Sequence, residues 1–202
     1  YSRLIDPAAL PPAYRPYVEG IRQEAESLGQ VVTNFLNFAR PEQIAFHPVD
    51  VKELLQRAVD DTVNELAGPA HVTIEGEFAV VQGDEVLLRQ AFSNLLRNAV
   101  EACEDARITP EISVVGEVDA QGRFVKIAVN DNGPGIAENV AGRVFRPFFT
   151  TKARGTGLGL AIVQKVVVTH NGRVSVGVSP RGGACVQMTL PVSGAARSTI
   201  VT

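Results

Sequence analysis

The hydrophobic residues of this 202-residue chain are grouped into runs that polar and glycine-rich turns separate. Longer runs predict helices at residues 51–66, 85–104 and 158–170, the first two beginning after the capping residues Asp50 and Asp84. Shorter runs have the length or alternation of strands at residues 71–77, 78–82, 111–118, 123–130, 173–178 and 184–190. Helices and strands are therefore interspersed along most of the chain.

The first 46 residues follow a different pattern. Prolines within residues 1–16 exclude a continuous helix there. Beyond them, apolar residues recur at spacings of three and four, as in a heptad seam: Val18, Ile21, Ala25, Leu28, Val32, Phe35 and Ala39. One interpretation is a helix that lies on its own domain. We favour the alternative, in which the narrow stripe packs against another helix or subunit.

The composition is that of one ordinary domain with an appendage. Hydrophobic residues make up 45% of the chain, and the net charge is −3, so nucleic acid and membrane surfaces are not indicated as partners. No run approaches the ~20 apolar residues of a membrane span. The start lacks a methionine and a signal-peptide pattern, and we expect a part of a longer protein. Cys103 and Cys185 have no metal-ligand spacing and are interpreted as small buried residues in a reducing compartment.

A glycine cluster follows the predicted strand at 123–130. It begins with Asp131 at the mouth of the strand and contains Gly133 and Gly135. A carboxylate only accepts hydrogen bonds, so Asp131 suits a ligand amine such as the exocyclic amino group of adenine. Glycines permit positive φ and let the backbone pass close to a flat ring. The alternative for Gly-Pro-Gly is a plain turn.

A second cluster, Gly155-Thr-Gly-Leu-Gly159, opens the predicted helix at 158–170. Glycine amides at a helix N-terminus form an anion site, although the pattern also fits a simple helix start. Lys152 and Arg154 precede the cluster and are either ordinary loop charges or groups that neutralise a triphosphate. Their position beside the glycines favours the second interpretation. One cluster thus suits a base and the other suits phosphates.

The predicted helix at 85–104 carries polar residues on one flank. Asn94, Asn98 and Glu101 fall within an arc of roughly 60°. The adjacent stripe is predicted to be buried and consists of Leu95, Leu96, Ala99 and Ala102. Amide oxygens are suitable ligands for Mg²⁺, which takes few protein ligands beside phosphate oxygens and water. Solvent-facing asparagines are the alternative, but the neighbouring base and phosphate clusters favour a metal ligand.

The three histidines have no acid or cysteine at a useful spacing. His47 lies in what looks like a linker, His71 starts a predicted strand, and His170 ends a predicted helix. We predict a structural role for each.

Four motifs stand in the order found in two-component sensor histidine kinases. Asn94 to Asn98 resembles the N box of that family, and Asp131-Asn-Gly-Pro-Gly135 resembles its first glycine box. Phe145-Arg-Pro-Phe-Phe-Thr-Thr-Lys152 resembles the F box, and Gly155 to Gly159 resembles the second glycine box. This resemblance covers about residues 47–192.

The resemblance extends to the flanking segments. Residues 16–41 are similar to the second helix of the family's dimerisation and phosphotransfer domain. We therefore predict three parts: the end of that domain at 1–46, an ATP-binding catalytic domain at 47–192 and a flexible tail at 193–202. The short segment between Thr150 and Gly155 is most like the nitrogen-regulation branch of these sensors.

The family likeness implies a fold and a set of ligands. The fold would be a Bergerat-type α/β two-layer sandwich, with a mixed, mostly antiparallel sheet covered by helices on one face and preceded by a helix of a dimerisation bundle. The implied cofactors are ATP and Mg²⁺, beneath a mobile lid at roughly residues 137–156. The implied partners are a response-regulator receiver domain and, in the full-length protein, a second copy. The resemblance leaves open whether the full-length protein is anchored in a membrane, and it implies that this part of the protein is cytoplasmic.

Site residues are carried over onto matching positions. Asn98 would bind Mg²⁺, Asp131 would bind adenine, and Asn94 and Lys152 are the predicted catalytic residues. Asn94 stands where related ATPases have a catalytic glutamate, so an amide there argues against efficient water activation. At the position of Glu101 many family members have a lysine or another residue near the phosphates, which leaves the contact of Glu101 with the phosphates open. The predicted nucleotide contacts also include Glu101, Ala102, Gly133, Gly135, Ile136, Thr151, Lys152, Gly155, Thr156, Gly157, Leu158 and Gly159.

The family's phosphoacceptor histidine lies in a box containing His-Glu, and none of the three histidines here has that context. The resemblance therefore implies that the chain binds ATP but does not autophosphorylate normally. The γ-phosphoryl group of the bound ATP would pass to a histidine that is absent from this chain and then to a response-regulator aspartate. Two alternatives stay open: an ATPase or serine kinase of the same superfamily, and a non-catalytic nucleotide-binding or dimerisation module.

Overall fold

A computed structural model describes residues 11–22, 24–25, 29, 44–65, 68–152 and 155–194. The chain divides into two compact units, Tyr1–Glu42 and Gln43–Thr202. In the first unit, residues 15–22 are helical, and Pro16 lies in the first turn, where a proline is tolerated. The predicted seam from Leu28 to Ala39 lies outside the described residues. No helix in the described ranges has the length and hydropathy needed to cross a membrane.

The second unit alternates strands and helices, as the hydrophobic pattern predicts. Every helix and strand predicted after residue 50 is present, with ends that differ by two residues or fewer, and a short additional helix precedes the F box. In chain order the elements are β1 His47–Asp50, α1 Val51–Glu65, β2 His71–Gly76, β3 Val80–Gly83, α2 Glu85–Asp105, β4 Glu111–Val118, β5 Phe124–Asn130, α3 Glu138–Ala141, α4 Gly159–Thr169, β6 Arg173–Val178 and β7 Ala184–Pro191.

Five strands form the main sheet in the order β2-β4-β5-β7-β6. Strand β2 runs parallel to β4, and the other pairs are antiparallel. Apolar residues of the central strands, such as Val114, Ile127 and Met188, are completely buried on one face. Helix α2 packs between α1 and α4, and these helices contact the strands. The structure therefore confirms a mixed, mostly antiparallel sheet with helices on one face.

The interpretation of His47 as part of a linker is wrong. Strand β1 pairs antiparallel with β3, from His47 opposite Gly83 to Asp50 opposite Val80. Only one β1 residue, Val49, is buried, so the strand is too short to show an alternating pattern in the sequence. Its partner lies beyond α1 and β2, and this non-local pairing forms only in the folded chain.

Aspartate side chains cap the N-termini of α1 and α2, as the sequence predicts. Asp50 Oδ1 accepts hydrogen bonds from the N–H groups of Lys52 and Glu53 at 2.9 and 3.1 Å. Asp84 Oδ1 accepts from Val86 and Leu87 at 3.0 and 3.2 Å. Such caps satisfy amides that have no partner within the helix. The start of α2, which carries the N box, is fixed in this way.

His170 and the two cysteines differ in how far they are buried. His170 is 3% exposed; its Nε2 accepts from the Asp84 N–H at 2.9 Å, and its Nδ1 lies 2.7 Å from the Val166 carbonyl oxygen. Its structural role is confirmed. Cys103 is buried as predicted, but Cys185 is only half-buried because its side chain lies on the sheet face away from the helices. Burial raises the pKa of both thiols.

Candidate active site

The polar flank of α2 forms one wall of the site. Asn94, Asn98 and Glu101 are half-buried beside a stripe in which Leu95, Leu96 and Ala99 are at most 5% exposed. The prediction that Ala102 is buried with this stripe is wrong, because Ala102 is half-buried beside the loop that follows β5. Three segments of the chain approach this flank.

The first segment begins with Asp131, which is 5% exposed at the end of β5. Its Oδ1 accepts hydrogen bonds from the N–H groups of Gly133 and Ala184, both at 2.9 Å. A Cβ atom at Gly183 would overlap Oδ1, so a glycine is required there. The carboxylate is therefore held in one orientation by backbone groups from two strand ends.

The glycines after Asp131 bring this loop against α2. A Cβ at Gly133 would lie 3.1 Å from Asp131 Oδ1 and 3.5 Å from Ala102 Cβ. Gly135 has a φ of +78°, in the left-handed region that favours glycine. Ile136 follows and is half-buried. The predicted base-binding residues thus lie next to the C-terminal half of α2.

Sequence reasoning missed Asn132 in the same loop. Its Oδ1 accepts hydrogen bonds from the Glu111 N–H at 2.9 Å and the Cys103 thiol at 3.2 Å, and its Nδ2 donates to the Thr109 carbonyl at 3.1 Å. The side chain joins the end of β5 to the end of α2 and the start of β4. Its place beside Asp131 in a glycine turn, where asparagine often binds nearby backbone, was the available signal.

The second segment is the end of the F box. Lys152 Nζ lies 2.7 Å from Glu101 Oε2 and 3.5 Å from the Asn98 carbonyl oxygen. The Lys152 N–H donates to Thr150 Oγ1 at 3.0 Å, whereas Thr151 between them is exposed. The lysine thus anchors the end of the predicted lid on α2. Arg154 lies outside the described residues.

The third segment is the second glycine cluster. Gly157 has a φ of +66°, and its carbonyl accepts from the Phe148 N–H at 2.9 Å. Leu158 is completely buried, and its N–H donates to Thr156 Oγ1 at 3.3 Å. A Cβ at Gly159, the first residue of α4, would lie 3.2 Å from Asn98 Nδ2. The side-chain amide of Asn98 therefore lies beside the N-terminus of α4.

The structure brings most of the predicted residues onto one wall. Asn98, Glu101, Ala102 and Cys103 are α2 residues that these segments contact. Asn94 lies one helical turn earlier on the same flank, and Gly155 packs against Thr150. Within the described ranges, no group of three or more His, Cys, Asp and Glu side chains is placed to hold a metal ion.

The chemistry of these donors fits a magnesium nucleotide. A rigid carboxylate suits an amine, and the amide oxygen of Asn98 suits a hard cation that also binds phosphates. The ammonium of Lys152 and the amides at the start of α4, a helix of 11 residues, suit anions. All of these groups adjoin the same half of α2.

Comparison with known proteins agrees with this arrangement. The family model for the histidine kinase-, DNA gyrase B-, and HSP90-like ATPase matches residues 83–194, more than half of the chain. The signal transduction histidine-protein kinase AtoS of Escherichia coli is 31% identical over 205 residues, which cover 99% of this chain and 33% of AtoS. The nitrogen regulation protein NtrY of Azorhizobium caulinodans is 31% identical over 182 residues, covering 86% of this chain and 23% of NtrY.

A solved structure shares the fold. Full-length ShkA in complex with AMPPNP superposes with a TM-score of 0.74 at 27% identity, covering 96% of this chain and 42% of that protein. This chain spans about a third or less of the length of the two relatives named above. The chain belongs to the histidine kinase-, DNA gyrase B- and HSP90-like ATPase family, and it carries the ATP-binding catalytic domain of a sensor histidine kinase.

Proposed function

We propose that the complete protein transfers the γ-phosphoryl group of Mg-ATP to a histidine and then to a response-regulator aspartate, and that this chain binds the nucleotide. The observation that carries the proposal is the meeting of three segments on one flank of α2, with Gly133, Lys152 and Gly159 at their contact points. The names of the relatives support a kinase over a gyrase-like ATPase.

At the base end, Asp131 would accept a hydrogen bond from the adenine amino group. Among the described residues, the hydrogen bonds to this carboxylate go to Oδ1, so that Oδ2 would be the atom that accepts from the ligand. Gly133 and Gly135 would let the backbone pass close to the ring, with Ala102 and Ile136 as apolar neighbours.

At the phosphate end, Asn98 would hold Mg²⁺ through its amide oxygen. The backbone amides from Gly155 to Gly159, the Thr156 hydroxyl and the Lys152 ammonium would bind phosphate oxygens. Held by Asn98, Mg²⁺ would supply positive charge that offsets the negative charge of the phosphates during phosphoryl transfer. Asn94 would orient a reacting group rather than deprotonate it, since an amide is not a base.

We also propose a division of the chain into three parts. Residues 1–46 would be the end of the dimerisation and phosphotransfer domain, residues 47–192 the catalytic domain and residues 193–202 a flexible tail. The alignment with AtoS over 99% of the chain supports the inclusion of the first part. The full-length protein would be a homodimer on the cytoplasmic side, with or without a membrane anchor, and its partner would be a receiver domain.

A titration followed by a transfer assay tests this function. The chain is expected to bind ATP more tightly with Mg²⁺ than without it, and Asn98→Ala is expected to remove that difference. Glu117→Gln, on the sheet face away from the helices, is the matched control. The loaded chain is then mixed with a separate helical hairpin that carries a phosphoacceptor histidine.

Each alternative function predicts a different result. Phosphoryl transfer to the hairpin supports the kinase. Steady hydrolysis of ATP without any histidine substrate would instead support the ATPase alternative. Failure to bind ATP, or binding that is indifferent to Mg²⁺ and Asn98→Ala, would support a pure interaction module.

A further inference from the structure

The anionic partner of Lys152 in the structure is a carboxylate of this chain. Lys152 Nζ and Glu101 Oε2 are 2.7 Å apart, and the side chains are 27% and 43% exposed. The same ammonium lies 3.5 Å from the Asn98 carbonyl oxygen. Two contacts on α2 therefore hold the cation that the proposed function assigns to the phosphates.

This ion pair lowers the net positive charge that Lys152 presents to the phosphates. An ammonium with a carboxylate in contact is a nearly neutral pair, so it attracts a distant anion less than a free ammonium does. A lysine ammonium has three donors, and here Glu101 and the Asn98 carbonyl engage two of them. A phosphate oxygen that binds the Lys152 ammonium must compete with the Glu101 carboxylate for it.

The ion pair between Lys152 and Glu101 also links two parts of the chain. Glu101 lies in the last two turns of α2, and Lys152 ends the F box, so the ion pair joins the end of the lid segment to the helix that carries Asn98. Exchange of Glu101 for a phosphate would release the lysine side chain from this carboxylate. Nucleotide binding and attachment of the lid end would then depend on the same ammonium.

We propose that Glu101 is a positioning residue that keeps Lys152 on α2 and thereby lowers the affinity of the site for phosphates. This inference rests on the proposed function, because it takes Lys152 as a phosphate ligand. It assigns Glu101 no direct contact with nucleotide or metal. Glu101 sets the phosphate contribution to affinity by competing for the lysine.

The experiment measures dissociation constants of adenosine, ADP and ATP, with Mg²⁺, by calorimetry. The proteins are the wild type, Glu101→Gln, Lys152→Gln and the double variant. Glutamine keeps the shape of glutamate and is shorter than lysine, and in both cases it removes the charge. Glu104→Gln is the matched control, since it removes the same charge from an exposed position on the same helix. Circular dichroism confirms that each variant is folded.

Glu101→Gln is expected to bind ATP about two- to fivefold more tightly, as suits a partly exposed ion pair. The gain should be smaller for ADP and absent for adenosine, a dependence on phosphate number that a merely structural role would not produce. In the Lys152→Gln background, Glu101→Gln should change the ATP affinity by less than about twofold. Glu104→Gln should leave all three constants unchanged.

Other outcomes overturn the inference in different ways. Weaker ATP binding by Glu101→Gln would mean that the carboxylate contacts the ligand or its metal. An equal gain in the Lys152→Gln background would mean that Glu101 repels the phosphates directly, and an unchanged affinity would mean that it does not compete at all. Each result leaves the proposed function standing, whereas a wild type that binds no ATP overturns both.

Discussion

Replacement of Asp131 by asparagine keeps the shape of the side chain and exchanges one carboxylate oxygen for an NH₂ group. The asparagine oxygen can still accept the two hydrogen bonds from Gly133 and Ala184 that Oδ1 accepts at 2.9 Å. The NH₂ group then takes the place of Oδ2. A donor there faces the amine of adenine, which is also a donor.

The substitution is expected to weaken ligand binding somewhat more than it lowers the stability of the fold. A hydrogen bond to a charged group contributes about 1.5–3 kcal/mol, and the substitution removes one from the ligand. Since about 1.4 kcal/mol corresponds to a factor of ten, the dissociation constant for ATP should rise about 10- to 100-fold. The two backbone hydrogen bonds become neutral rather than charged, which should lower the free energy of unfolding by about 1–2 kcal/mol.

Calorimetry with adenosine and ATP measures the first effect, and denaturant unfolding measures the second. Adenosine and ATP should lose affinity by the same factor, because Asp131 contacts the base. Glu117→Gln, on the outer sheet face, should change neither quantity. If Asp131→Asn altered both dissociation constants by less than about twofold while the protein stayed folded, the assignment of this carboxylate to adenine would be refuted.

Two further substitutions test the phosphate loop and the core. Gly157→Ala should weaken ATP binding about tenfold or more but leave adenosine binding nearly unchanged, because φ is +66° and a Cβ would overlap the Phe148 backbone; equal losses for both ligands would contradict a phosphate role. Burial is the main cause, and the charge of Asp131 the second, of a pKa of the Cys103 thiol above its ordinary value of 9.0. The protonated thiol therefore contributes its full stabilisation of the fold below pH 9.0, and this contribution is lost as the pH rises through the folded-state pKa. Unfolding by denaturant should therefore show a steeper loss of stability above pH 9.0 for wild type than for Cys103→Ala, and parallel pH profiles would count against it.

The motifs were predictable because each depends on local chemistry. The Asp84 cap starts α2, and the period of the helix places Asn98 and Glu101 on one flank, whatever the rest of the chain does. Gly135 adopts the positive φ that the first glycine cluster allows, whereas Gly133 does not. These features need only neighbouring residues, and so the sequence predicts them.

Contacts between distant residues were not predictable in the same way. The pairing of β1 with β3 depends on a partner beyond α1 and β2, and β1 is too short to have a pattern of its own. Asn132 contacts Cys103, Thr109 and Glu111, whose proximity follows from the packing of α2 against the sheet. The sequence also placed Ala102 in the buried stripe, since its helical position cannot show that a glycine loop covers it only partly.

Periodicity, caps and glycine turns are properties of short segments, and the sequence therefore predicts most of the helices and strands, the order of the motifs and the family that they resemble. The pairing of Lys152 with Glu101 follows only from the packing of the folded chain, since 51 positions separate the two residues and each side chain on its own also suits a solvent-exposed surface. A salt bridge of this kind depends on the packing of the F box against α2, which brings the two charges to 2.7 Å.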